Sequence, residues 1–239
     1  MKTRSIAAWL TVAGALVGMV PAAGEGLVAG VSGQGADRTG RVAGKVRLTV
    51  AGGSPSASSA YPRRGVGPRA QALPEMLNVV VFFTDVPSPP DLKSMHAEIA
   101  QKDEQFTPHV VAVTAGSRVD FPNRDLFFHN VFSLSRGAIF DLGKFPSGMT
   151  KSRPFPKPGI VKVYCHLHSQ MSAVVRVFDH PWFTIPGEDG SFSIDGVPPG
   201  DFTLVAWHER IGERRERVTI RTGATADVAF TLPVLEPGQ

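Results

Sequence analysis

The stretch Val161-Lys-Val-Tyr-Cys-His-Leu-His-Ser-Gln-Met-Ser-Ala-Val-Val-Arg-Val177 constrains the chain more than any other. It holds the only cysteine, Cys165, followed by His168 and Met171. Short apolar runs on both sides, Ile160 to Tyr164 and Ala173 to Phe178, read as two β-strands joined by that loop. One thiolate, one imidazole and one thioether therefore leave a single short loop. A mononuclear electron-transfer copper site needs two histidines and a cysteine in a trigonal plane with a weak axial methionine. Cys-x2-His-x2-Met lacks only the second imidazole.

Phe128-His129-Asn130-Val131 supplies it. The segment before it, Phe106 to Asn123, reads as strands at Val110–Val113 and Val119–Phe121 around Gly116. With Phe106-Thr-Pro108, Val119-Asp-Phe-Pro-Asn123, His-Asn-Val, and Pro158-Gly159 leading into the cysteine loop, residues 106–178 resemble the cupredoxins, the blue-copper β-sandwich family of plastocyanin and amicyanin. The Cys-to-Met spacing is similar to that of amicyanin. The resemblance implies a Greek-key sandwich, one type 1 copper per chain, and the ligands His129, Cys165, His168 and Met171. It implies that the exposed edge of His168 passes electrons, and Asn130 is expected to hydrogen-bond across the ligand loops. Phe127, Phe128, Phe132, Phe140 and Phe145 are expected in the sandwich core, some of them keeping water from the metal.

The chain starts with Met1-Lys-Thr-Arg4, an apolar run Ser5–Val20 and small residues Pro21-Ala-Ala-Gly24. That is the layout of a secretory signal peptide, expected over 1–23, and the apolar run is shorter than the ~20 residues of a membrane span. The protein is thus expected to be periplasmic or secreted, with no membrane span after cleavage; an uncleaved anchor is the alternative. Loss of Lys2 and Arg4 lowers the formal net charge from +4 to +2, and no polybasic run points to nucleic acid. A single cysteine makes no internal disulfide, and a free thiol in an oxidising compartment is open to oxidation. Ligation to a metal answers both points; a buried inert cysteine is the alternative.

Residues 24–39 are Gly-rich and small, a flexible leader. Gly40–Val50 alternates Val42, Val46, Leu48 and Val50 as a strand with one buried face, Ala51–Glu75 is a Gly/Ser/Pro/Arg-rich loop, and Leu77–Phe83 suits a strand covered on both sides. Asp91–Gln101 fits a helical face or an edge strand, and either assignment leaves the site unchanged. Beyond the ligand loop, Phe192/Ile194 and Phe202/Leu204/Ala206 flank a Pro-Pro-Gly turn as a hairpin, with further strands at Arg217–Ile220 and Ala226–Leu232. This part, with Gly40-x-Val42-x-Gly44-x-Val46 and Val79–Phe83, resembles the carboxypeptidase-regulatory, transthyretin-like β-sandwich. The expected architecture is all-β: residues 40–88 and 182–236 form one split, smaller sandwich, and the copper domain, residues 89–181, is inserted between them.

Five histidines lie outside the ligand set. His166 is expected to face away from the site that Cys165 faces. His96, His109 and His180 read as surface or edge residues, and His208 as a hydrogen-bonded structural histidine. The leading expectation is an exported electron carrier, not an enzyme, exchanging single electrons with a partner oxidoreductase. Two other readings stay open: a copper-holding or binding module with structural copper, and a reductase or oxidase subunit that holds a second copper between copies through His166.

Overall fold

Apolar residues on one or both faces of the strands assemble, among the described residues, four main sheet layers with three apolar interfaces between them. The computed structural model describes residues 38–50 and 75–234, which fall within one compact unit. The expected signal segment, the leader to residue 37, the loop 51–74 and residues 235–236 lie outside the described residues. Among the described residues the structure is all-β, with one short 3-10 turn, Glu75–Asn78.

The strands are β1 (Gly40–Val50), β2 (Val79–Phe83), β3 (His96–Glu98), β4 (Ala100–Lys102), β5 (Gln105–Thr107), β6 (Val110–Thr114), β7 (Ser117–Pro122), β8 (His129–Ser133) and β9 (Phe140–Phe145). There follow β10 (Thr150–Phe155), β11 (Gly159–Tyr164), β12 (Ser172–Phe178), β13 (Phe183–Thr184), β14 (Ser191–Val197), β15 (Gly200–His208), β16 (Gly212–Ile220) and β17 (Thr225–Val234).

A five-stranded sheet, β6-β12-β11-β8-β9, faces a three-stranded one, β10-β7-β3. The inward residues Val111, Val113, Val119, Phe121, Val131, Phe145, Val161, Val163 and Val175 fill the space between them, and Cys165 and Met171 sit in the same core. A four-stranded sheet, β13-β2-β15-β16, faces the three-stranded β14-β1-β17 over Val42, Val46, Val81, Leu204, Ile220 and Phe230. The alternate residues of β2 and β15, Val80, Phe82, Val205 and Trp207, pack on Val110, Val174 and Phe178 of β6 and β12. This third interface explains why all five residues of β2 are buried.

The chain's outer thirds come together in the second pair of sheets. β1 runs antiparallel to β14 and parallel to β17, and β2 lies between β13 and β15. Gly44 makes that crossing of β1 tight: a Cβ there would sit 1.8 Å from the Val228 carbonyl oxygen. Arg176, on the outer face of β12, places its guanidinium over Phe82, Trp207 and Phe178 at 4.2, 4.6 and 5.4 Å from the ring centroids. Burial there brings its pKa down to about 10.

Residues 91–101, open to either assignment in the sequence, contain β3 and the start of β4. β9, β10 and β13 were not expected as strands. β10 accommodates Pro154 because it is the edge of its sheet, where a missing N–H leaves no ladder bond unmade.

Candidate metal centre

The β8 strand begins at His129, paired with Phe145 of β9, and β11 ends at Tyr164, paired with Phe132 of β8 and Ser172 of β12. Residues 165–171 therefore close the β11–β12 hairpin directly beside the start of β8. The Met171 N–H donates to the His168 carbonyl at 3.0 Å, which tightens the loop into a turn. Three side chains converge as a result. The Nδ1 atoms of His129 and His168 are 3.1 Å apart, and Cys165 Sγ lies 3.8 Å from the first and 3.9 Å from the second.

This triangle fits a metal ion. A point equidistant from the three atoms lies about 2.1 Å from each, within about 0.2 Å of the distances first-row dications take to imidazole and thiolate. His129 is fully buried, Cys165 nearly so, and His168 is partly exposed. Among the described residues these three form the one group of His, Cys, Asp and Glu side chains close enough to share an ion. Met171, 1 % exposed, packs in the same core cluster as Cys165, at the end of that loop.

The donor chemistry is set by Asp125. Its Oδ2 is 2.7 Å from His129 Nε2. An ionised carboxylate only accepts, so Nε2 carries a proton, and in the neutral imidazole that leaves Nδ1 with the lone pair, toward Cys165 and His168. Burial pushes the Asp125 carboxyl up, but backbone N–H groups of Glu104 and Asp103 and the His129 ring together outweigh it and hold the pKa below the ordinary value. Those amides donate at 3.0 Å to Oδ2 and 2.6 Å to Oδ1. Asn123 shapes the loop: its Oδ1 accepts the Asp125 N–H, and its Nδ2 donates to the carbonyls of Phe127 and Phe145.

Asn130 is 1 % exposed and spans two loops. Its Oδ1 accepts the N–H of His166, next to Cys165, at 3.3 Å, and its Nδ2 donates to Asp141 Oδ1 at 2.6 Å. His166 itself is on the outer face, stacked on Phe132 at 3.7 Å between centroids and near-parallel, with Nε2 3.7 Å from Asp141.

Phe127 covers the triangle, its ring centroid 5.1 Å from that of His129 and 5.4 Å from that of His168. Phe127 and Phe128, expected in the core, are instead 42 % and 54 % exposed, and Leu126 before them and Leu167 next to His168 are exposed as well. Phe140 and Phe145 are buried as expected.

The remaining histidines divide differently from the sequence expectation. His96 is at the surface, 2.8 Å from Asp120. His180, read as a surface or edge residue, is buried with Phe178, Trp182 and Phe183 around it, and burial pushes its pKa down. His109 is partly buried between the two pairs of sheets, bonded at Nδ1 to the Ser172 carbonyl and at Nε2 to Glu209. His208 is buried, accepts the Arg210 N–H at Nδ1 and lies 3.0 Å from Glu75.

Sequence reasoning missed Asp125. Its signal was its spacing, a carboxylate four residues before a candidate ligand histidine in a loop. The β4–β5 hairpin was missed too, and the assignment of that region does bear on the site, since the hairpin turn grips Asp125.

No protein-family model and no curated protein matches the chain. Solved structures do. A copper-containing nitrite reductase from Thermus scotoductus SA-01 is 23% identical over 36% of this chain, with a TM-score of 0.34; the match spans 23% of that protein's length. A purple cupredoxin from Nitrosopumilus maritimus is 22% identical over 34% of this chain and 98% of its own, with a TM-score of 0.31. A reduced mutant of amicyanin is 20% identical over 34% of this chain and 79% of its own, with a TM-score of 0.32. At scores this low the likenesses carry no weight for function.

Proposed function

We propose that this chain is a type 1 copper protein that carries single electrons to or from a partner oxidoreductase. The observation that supports it is the convergence of Cys165 Sγ and the Nδ1 atoms of His129 and His168 to within 3.9 Å of one another. His129, Cys165 and His168 would hold the ion, with Met171, packed in the same core cluster as Cys165, as the fourth donor. Bound there, copper supplies a reversible one-electron couple whose potential depends on the axial ligand and on the apolar, hydrogen-bonded surroundings of the thiolate.

The chain's own residues do the rest. Asp125 keeps the proton of His129 on Nε2, away from the donor triangle. Asn130 ties the cysteine loop to β9 through Asp141. Phe127 excludes water from one side of the two imidazoles, and a dry, rigid donor set changes little between oxidation states. Phe127, against the His168 ring, and Leu167, next to His168 in the chain, give the partly exposed His168 apolar neighbours. Contact with a redox partner there would bring the partner's cofactor close to a ligand without crossing the core.

Export to the periplasm or beyond belongs to the same proposal and rests on the signal-like residues 1–23. Among the described residues, no helix is long and apolar enough to cross a membrane. We also propose that residues 40–88 and 182–236 form one split, transthyretin-like sandwich with the copper domain inserted, a reading supported by the pairing of β1 with β14 and β17 and of β2 with β15.

Voltammetry of the copper-loaded, purified protein tests the electron-carrier reading. A reversible one-electron wave with rapid electron exchange is expected. A copper-bound protein that is redox-silent would assign it a holding role instead.

A further inference from the structure

The β4–β5 hairpin turns at Asp103 and Glu104, both at φ 54°. Consecutive left-handed residues are the requirement of a type I′ turn, normally met by Asn-Gly, because a Cβ makes this backbone costly. Neither residue is glycine. What holds the turn is outside it: the two successive N–H groups form a small anion-binding concavity, and the Asp125 carboxylate fills it. The tip then reaches the ligand loop, where Glu104 Oε2 accepts from Gln170 Nε2 at 2.8 Å, between His168 and Met171 in sequence. Phe106, on the returning strand, is buried in the core that contains Cys165 and Met171.

From this we infer that Asp125 is a positioning residue with two coupled tasks on one carboxylate: setting the tautomer of His129 and holding the strained Asp103–Glu104 turn that braces the ligand loop. The inference rests on the metal reading of the triangle, but its geometry is independent of which ion is bound. The coupling lies in the donors that share the carboxylate. Oδ2 accepts from His129 Nε2 and Glu104 N, and Oδ1 accepts from Asp103 N. All three partners donate, so the group needs acceptors on both sides. An amide offers only one. With its oxygen toward His129, its NH2 opposes the Asp103 N–H and the turn is lost. With its oxygen toward Asp103, its NH2 opposes Glu104 N–H and His129. The imidazole is then driven to carry its proton on Nδ1, inside the triangle.

The test is a cycle of two changes in the full chain: Asp125→Asn, and Asp103→Gly, which relieves the left-handed backbone at the position whose acceptor the amide cannot supply and keeps the Glu104–Gln170 bond. Copper is the probe, its affinity measured by competition with a chromophoric chelator, alongside the absorption spectrum of the loaded protein. Asp125→Asn is expected to weaken binding 10- to 100-fold, the range seen for groups that orient a ligand, and to alter the spectrum. Asp103→Gly frees the amide oxygen for His129 and is expected to recover most of that loss. Binding within threefold of wild type in Asp125→Asn, or no recovery with Asp103→Gly, overturns the inference. The thermal midpoint of the metal-free protein reads the same coupling without copper. Asp103→Gly must raise Asp125→Asn more than it raises wild type, and equal gains overturn it. If Asp125→Asn folds only with Asp103→Gly, the coupling is upheld. Failure of wild type to bind copper would sink the metal reading and leave the midpoints to judge the turn.

Discussion

Glu209 links the two pairs of sheets, and replacing it with Gln should cost stability in a defined pH window. His109 donates from both ring nitrogens to acceptors, Ser172 O and Glu209 Oε2, each at 2.8 Å, an arrangement that requires the imidazolium. Lys162 Nζ lies 3.1 Å from the other carboxylate oxygen. The His109 hydrogen bond, opposed by burial and reinforced by Lys162, brings the Glu209 carboxyl from 4.5 down to about 2. Taken at face value that displacement is worth about 3 kcal/mol. The side chains of Glu209, His109 and Lys162 are 20, 30 and 51 % exposed, so solvent screening reduces the figure to roughly half, about 1.5 kcal/mol. For a chain of this size the loss corresponds to a fall of about 3–6 °C in the unfolding midpoint.

The signs of the two shifts set the window. Glu209, depressed, contributes stability that is present above its unfolded value and lost as pH falls toward 2. His109 is raised, chiefly by Glu209 with burial opposing, so its contribution is present below 6.5 and lost as pH rises through its folded value. The deficit of Glu209→Gln relative to wild type should therefore be greatest near pH 5–6 and shrink in both directions. Thermal unfolding followed by circular dichroism at pH 3, 5.5 and 8.5 measures it. A deficit that is independent of pH would refute the ionic account.

Two further substitutions probe the packing. Gly44→Ala should destabilise the protein by about 2 kcal/mol or more in urea unfolding, because the added methyl meets the Val228 backbone and the Phe192 ring, at 1.8 and 2.9 Å; an unchanged midpoint would contradict the close β1–β17 crossing and weaken the split-sandwich proposal. Gln101 is fully buried and, among the described residues, neither its Nε2 nor its Oε1 has a partner, so Gln101→Met should stabilise by about 1 kcal/mol, and a lower midpoint would mean that the amide is satisfied.

What was legible in the sequence was what lies close along it. Cys165, His168 and Met171 occupy seven residues, so a single loop advertises most of the ligand set, and the alternation of β1 and β14 follows from one periodicity. β2 could be read as doubly covered because all five of its residues are apolar. Features held by distant partners were hidden. The turn at Asp103–Glu104 lacks the glycine that marks such turns, since Asp125, 22 residues away, supplies its stabilisation. Phe127 and Phe128 look like core by composition, yet the Asn123 side chain fixes their loop so that both rings stay near the surface. His180 and His109 are drawn inside by a face between sheets that no local pattern reports.

The central claim is tested most directly by loading the purified protein with Cu(II), counting the metal, and recording visible absorption and electron paramagnetic resonance beside the Cys165→Ser variant. The account predicts one copper per chain, an intense thiolate-to-copper band with narrow copper hyperfine splitting, and loss of that band in Cys165→Ser. A colourless wild type that takes up no copper, or a Cys165→Ser variant that keeps the band, would contradict it.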